Sequence, residues 1–213
     1  MATKNNSKTA KLKSALALPA QSPDIGELIG KKLFKLRKQR RMTLDELAAR
    51  TGFTKGYLSK IENNKNVPPI GTLSKLAQAF ACDIGHFFQQ EDNWIEDGVS
   101  LVRRNERQPA IRGGTTFGYD YSSLAHKKHN KRMEPFIFTF PAEIDMNTFF
   151  EHEGEEFVFM LGGSAQFETK RQNDIERWTL NEGDSLYFDS RIPHRGHSLS
   201  GESYALVVLF RSE

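Results

Sequence analysis

Up to about residue 90, apolar residues recur at spacings of three and four; beyond residue 98 they alternate with polar ones. The first pattern predicts helices and the second short strands. In TLDELAARTGFTKGYLSKIEN (43–63), Leu44, Leu47 and Ala48 share one helical face. Thr43 precedes them as an N-cap, with Glu46 three residues on, the two halves of a capping box. Gly52 ends this helix, because a residue without Cβ enters the left-handed region at low cost. Thr54 then caps a second helix that buries Tyr57, Leu58 and Ile61. Two short helices joined so tightly must cross steeply, as in a helix-turn-helix.

The flanking pattern extends this unit. Gly26 to Arg41 predicts a helix with Leu28, Ile29, Leu33, Phe34 and Leu36 inward, and Lys31, Lys32, Lys35, Lys38 and Arg40 outward. Asn63 to Asn66 form a polar loop and Pro68-Pro69 delay the next helix, Ile70 to Ala81, which turns Leu73, Leu76, Ala77 and Phe80 inward. A last short helix, Ile84 to Phe88, completes five helices over residues 26–90. Residues 1–24 are polar and basic, with the composition of a disordered tail. Residues 91–98 (EDNWIEDG) are expected to be a linker. Residues 99–213 form the second domain. Its expected strands are Val99–Val102, Thr115–Tyr121, Phe136–Phe140, Thr148–Phe150, Phe157–Leu161, Ala165–Thr169, Arg177–Leu180, Ser185–Phe188 and Tyr204–Phe210. Many short strands with turn residues between them indicate a sandwich or small barrel. The fold class is therefore an α domain followed by an all-β one.

Charge sharpens this division. Residues 26–66 carry eleven Lys/Arg against four Asp/Glu, a net +7, whereas 91–213 carry fourteen against twenty-one, a net −7. A basic helical half suits contact with a polyanion, and the acidic half does not. The single cysteine, Cys82, excludes an internal disulfide and fits a reducing cytoplasm. No apolar stretch is long enough for a membrane span, so a cytoplasmic protein without membrane partners is expected. No Ser-His-Asp arrangement or phosphate-binding glycine loop is present.

The helical stretch resembles the Xre/Cro-type helix-turn-helix family through Leu47-Ala48, Gly52, Leu58 to Asn63, Pro68, and Leu73 with Leu76-Ala77. The resemblance implies a DNA-binding domain whose second helix enters the major groove. It places Lys55, Gly56, Ser59 and Lys60 at base edges, and Thr43 with Asn63, Asn64 and Lys65 near phosphates. It also implies a partly buried ion pair between Arg37 and Glu62. A helical hairpin that only docks to a partner is the plainer alternative.

The second half resembles a cupin, a double-stranded β-helix barrel. The residues that carry this are His152 to Phe157, Gly162, Gly183 to Phe188, and Ile192-Pro193-His194. The cupin pattern implies a site for one divalent metal ion (zinc, iron, nickel or manganese) held by His152, Glu156 and His194. Phe150 stands where that pattern has a first histidine. With Fe(II), two imidazoles and a carboxylate form the facial triad of oxygenases. An epoxidase that acts on hydroxypropylphosphonate has a similar architecture, so an iron enzyme with a vestigial helical domain is one alternative. Another is a pocket that binds an effector without metal chemistry. His152 and Glu156, four apart, are expected on one strand and one face. Phe150, Tyr119, Tyr121 and Arg191 are candidates to line the effector pocket, with Arg112 beside them; an outward-facing surface position is the alternative for Arg112, Tyr119, Tyr121 and Arg191. His126 and His129 lie in a basic loop, where solvated side chains are the usual case. Helical domain and cupin in this order imply a dimeric transcriptional regulator that binds operator DNA and senses a small-molecule effector.

Overall fold

The computed structural model describes residues 25–82, 84–88, 98–111, 118–128, 130–144, 148–172 and 174–210. The expected basic tail, most of the linker, Arg112, His129 and the start of the Thr115–Tyr121 strand lie outside the described residues.

Among the described residues the helical half has four α-helices rather than five: α1 (Ile25–Gln39), α2 (Leu44–Thr51), α3 (Lys55–Glu62) and α4 (Ile70–Phe80). The fifth expected helix, Ile84–Phe88, is a 3-10 turn, the form that five residues between packed elements commonly take. Local chemistry sets the helix ends. Thr43 and Glu46 complete both halves of the capping box on α2, and Gly52 closes it at φ 76°. The Thr54 hydroxyl accepts from the Tyr57 N–H at the start of α3. Leu47, Leu58, Ile61, Leu73 and Leu76 are fully buried. Gly30 lets α1 approach α3 closely, since a Cβ there would lie 2.5 Å from the Ile61 carbonyl oxygen.

Two residues of α1 exchange their expected sides. Phe34 is 46% exposed, with the Arg37 guanidinium 5.4 Å from its ring centre. Lys32 is buried, and its Nζ donates to the His86 carbonyl at 2.8 Å. A long aliphatic stem can cross the apolar layer to reach that acceptor.

The second half is antiparallel throughout. Strands β1 (Gln108–Ile111), β2 (Asp120–Ser123), β3 (Met133–Phe140), β4 (Glu155–Gly162), β5 (Ser164–Arg171), β6 (Asp174–Asn181), β7 (Ser185–Asp189), β8 (His194–Ser198) and β9 (Ser203–Phe210) form two sheets. The larger is ordered β1-β2-β3-β9-β4-β7 and the smaller β6-β5-β8. Alternation orients β4 and β9: Glu156, Val158 and Met160 are buried with Ala205, Val207 and Leu209. Val99–Val102 is not a strand, and Val99 is exposed. Thr148–Phe150 contributes only one bridge, Phe150 to His194.

The two halves share one apolar core. Phe88 of the 3-10 turn packs edge-on against Phe136 of β3, ring centres 5.9 Å apart. Glu134 accepts from the Gly85 N–H at 3.3 Å. Lys75 of α4 pairs with Glu151 at 3.0 Å. The first turn of α4 lies over the barrel: a Cβ on Gly71 would sit 3.3 Å from a ring carbon of His152. No helix among the described residues is long and apolar enough to cross a membrane.

Candidate functional site

The first candidate surface is α3. Leu58 and Ile61 pin it to the core, which leaves Lys55, Gly56 and Lys60 exposed and Ser59 half-buried. Its first turn holds no acidic residue, and its one carboxylate, Glu62, is turned inward. Glu62 takes two hydrogen bonds from Arg37, at 2.6 and 2.7 Å, and a third Arg37 N–H donates to the Met42 carbonyl at 2.9 Å. That pairing raises the Arg37 pKa against the effect of burial. The outer face of α3 is therefore basic and small-chained, as close approach to a groove requires. Lys55 reaches back to Asp45 of α2 at 2.8 Å. Asn63 closes α3 by donating from its amide to the Ser59 carbonyl, and Asn64 turns the chain at φ 57°. Thr43, Asn63, Asn64 and Lys65 are all exposed.

The second candidate site is inside the barrel. Glu156 projects inward from β4, and His194 opens β8. His152, expected on the same strand as Glu156, instead lies in the loop before β4. Gly154, at φ 104°, breaks the extended chain between them. The three side chains still meet: all are buried, and their ligand atoms lie within 4.8 Å of one another. His152 Nε2 is 2.6 Å from a Glu156 oxygen, and His194 Nε2 is 3.4 Å from the same atom. His194 Nδ1 lies 2.8 Å from the Ile192 carbonyl and His152 Nδ1 lies 3.1 Å from the Glu153 carbonyl. A carbonyl can only accept, so each Nδ1 carries a proton and each Nε2 faces the carboxylate. Burial opposes ionisation of Glu156, yet His194 and His152 together hold its carboxyl well below the usual range. Burial likewise disfavours charge on His152, but Glu156 raises its pKa overall. Two imidazoles oriented by backbone acceptors and one ionised carboxylate fit a divalent ion.

Phe150 lines the same cavity, together with Tyr119 and Tyr121, which stack with ring centres 6.1 Å apart. The Tyr119 hydroxyl donates to the Gly196 carbonyl at 2.6 Å and accepts its N–H at 3.1 Å; burial pushes its pKa up to about 12. The Tyr121 hydroxyl accepts from the Ile70 N–H at 3.5 Å. The cavity is mostly apolar and holds only about 40 Å³. Pro69, Ile70 and Gly71 of the helical half roof it, a contribution for which sequence spacing offered no signal. Arg191, expected in this pocket, is instead exposed and paired with Asp189. It lines a separate cleft of about 590 Å³ between the two halves. His126 is buried and is not among the grouped ligand side chains; burial lowers its pKa.

Comparison with known proteins separates the two halves in the same way. A helix-turn-helix family model matches residues 33–87, and a cupin domain model matches residues 136–210. The HTH-type transcriptional regulator PuuR of Escherichia coli is 26% identical over 172 residues, 80% of this chain and 88% of its own. A Sinorhizobium fredii protein named an uncharacterized HTH-type transcriptional regulator, y4dJ, is 39% identical over 56 residues, 26% of this chain and 73% of its own. The (S)-2-hydroxypropylphosphonic acid epoxidase of Streptomyces wedmorensis is 24% identical over 179 residues, 81% of this chain and 89% of its own.

Proposed function

Because the chain belongs to the helix-turn-helix family of transcriptional regulators and carries a cupin domain behind its helices, we propose that it regulates transcription by binding operator DNA through α3. The observation that carries this is the outer face of α3, where Lys55, Gly56, Ser59 and Lys60 stand without an opposing carboxylate on the helix. Lys55, Ser59 and Lys60 contact base edges, and Gly56 lets the backbone come close. Thr43, Asn63, Asn64 and Lys65 hold phosphates on either side. One such helix covers only a few base pairs, so the protein works as a two-fold dimer on a palindromic site. The cupin half supplies the pairing surface; its outer face exposes Phe159 of β4 and Tyr187 of β7. His152, Glu156 and His194 would hold one divalent ion inside the barrel.

The test is selection of binding sites from random duplexes by the full chain at physiological salt. A palindromic consensus with half-sites one helical turn apart is expected. Equal affinity for all duplexes would overturn the proposal.

A second reading is favoured by one observation: the buried His152–Glu156–His194 trio occurs in a chain similar along most of its length to an epoxidase. Here the chain would be an iron enzyme with a helical domain that no longer reads DNA. Iron-dependent oxygen consumption with small hydroxyalkyl phosphonates, together with absent DNA selection, would establish it.

A further inference from the structure

We propose that the effector site is the cleft between the helical and cupin halves, and that its ligand is a small zwitterion carrying both a carboxylate and an ammonium group. The volumes decide the location. Ligand pockets commonly enclose about 300–1,000 Å³. The cleft encloses about 590 Å³, whereas the barrel cavity holds about 40 Å³, room for a few waters or an ion with its own waters. Anything larger than a few non-hydrogen atoms finds space only in the cleft.

Charge decides the ligand class. The helical half lines the cleft with Arg50 at the end of α2 and Lys75 on α4; the cupin half lines it with Glu151, Glu153 and Arg191. Two of these cations are already matched, Lys75 with Glu151 at 3.0 Å and Arg191 with Asp189. Neither Arg50 nor Glu153 makes a side-chain ion pair among the described residues. Arg50 and Glu153 thus face the same cleft from opposite halves, neither in a direct ion pair among the described residues, with Arg191 near enough to feel the charge of Glu153. A carboxylate fits beside Arg50, and an ammonium beside Glu153. A dianion would meet Glu151 and Glu153, and a dication would meet Arg50 and Lys75.

The cleft also touches both elements that matter to the regulator. His152 forms part of its lining while bonding Glu156 on the barrel side, so the cleft is the vestibule of the trio. Arg50 lies two residues before Gly52, the turn that leads into α3. A ligand clasped between Arg50 and Glu153 fixes the orientation of the reading helices relative to the barrel. This last step rests on the regulator reading; ligand binding itself does not.

The experiment uses the full chain and three probes of equal chain length: 5-aminopentanoate, glutarate and 1,5-diaminopentane. A panel of α-amino acids is run beside them, and binding is followed by calorimetry and thermal shift without DNA. Zwitterions are expected to bind at least tenfold more tightly than either single-sign probe. Arg50→Ala and Glu153→Ala, both at exposed positions, should each weaken that binding at least tenfold. Phe150→Ala, at a residue that lines the barrel cavity and not the cleft, should leave it within about twofold. Binding that survives both cleft substitutions but is lost in Phe150→Ala would place the site in the barrel and overturn the proposal. Preference for glutarate or the diamine, or no zwitterion binding at all, would overturn it equally. Zwitterion binding that persists while DNA selection fails would retain the site and refute only the regulator.

Discussion

Replacing Arg37 by Met should cost far more than replacing Arg37 and Glu62 together. The guanidinium and the carboxylate are 8% and 6% exposed and joined by two short hydrogen bonds. Removing one partner strands a buried charge, a penalty of about 3–5 kcal/mol. Arg37→Met also frees the Met42 carbonyl, an unmet acceptor worth about 1–3 kcal/mol if water cannot reach it. The double Met variant strands no charge and packs two flexible apolar chains in the same space, so about 1–2 kcal/mol of loss should remain, mostly from Met42. For a chain of this length 1 kcal/mol corresponds to about 2–4 °C in melting temperature. The single variant should therefore melt roughly 10–20 °C lower, and the double variant roughly 4 °C lower. Urea denaturation of the wild type, both single variants and the double variant closes the cycle. A coupling energy of about 2 kcal/mol or more is expected. Additive losses would show that the pair does not act as a unit, and a harmless Arg37→Met would refute the penalty itself.

Gly52→Ala should lower stability by about 1 kcal/mol. A Cβ there meets no atom within 4 Å at φ 76°, so the loss isolates backbone strain and is read by urea denaturation. Lys60→Ala should weaken operator binding by about 1–3 kcal/mol and relax base preference at two symmetry-related positions, measured by fluorescence anisotropy on substituted duplexes. His152→Ala and His194→Ala should each abolish near-stoichiometric metal content in protein purified without a metal-affinity tag. Their DNA affinity in the absence of ligand should stay unchanged, since neither residue belongs to the helical half.

The helical half was legible because its instructions are local. The Thr43–Glu46 box, the Gly52 stop and the Thr54 cap all act within four residues of the backbone they control. Phe34 and Lys32 were misplaced because helical period fixes a face only to within about one residue; the deciding partner of Lys32, the His86 carbonyl, is 54 positions away. His152 was expected on a strand because an even spacing suggests a shared face, but that inference needs an unbroken strand. Gly154 breaks it, and that glycine was the available signal. Alternation gives no sign of β8, since His194, Arg195 and Ser198 of HRGHS are buried polar residues; the expectation that His194 opens a second strand after Pro193 came from the cupin resemblance. Arg195 is held there by buried Glu168, a cross-strand partner that local sequence does not reveal. The trio itself came from resemblance to a family rather than from periodicity. The cleft and the roof over the barrel depend on how two domains dock, which neither spacing nor composition encodes.

That docking bears on how such a molecule can switch. Coupling between a ligand site and a DNA surface needs two arrangements of similar free energy, one of which the ligand prefers. Among the described residues, the polar part of the seam includes the Gly85–Glu134 and Ile70–Tyr121 hydrogen bonds and the Lys75–Glu151 ion pair. Hydrogen bonds of this kind contribute about 0.5–1.5 kcal/mol net, and a partly exposed ion pair about 0–1 kcal/mol. Together these polar contacts add a few kcal/mol to the apolar core that the halves share. A ligand that binds only the docked arrangement supplies about 2.7 kcal/mol at a hundred times its dissociation constant. The two quantities are comparable, so occupancy of the cleft can decide whether this polar seam stays shut. The contrast lies with the aromatic contact of Phe88 on Phe136, which should persist in both arrangements and act as the pivot. Hydrogen exchange gives a direct check. With the zwitterion bound, the amides of Ile70, Gly71 and Thr72 should exchange about tenfold more slowly or better, while those of Phe87 and Phe88 change little. Equal slowing at all five positions would mean that the domains part as rigid bodies, with no pivot between them.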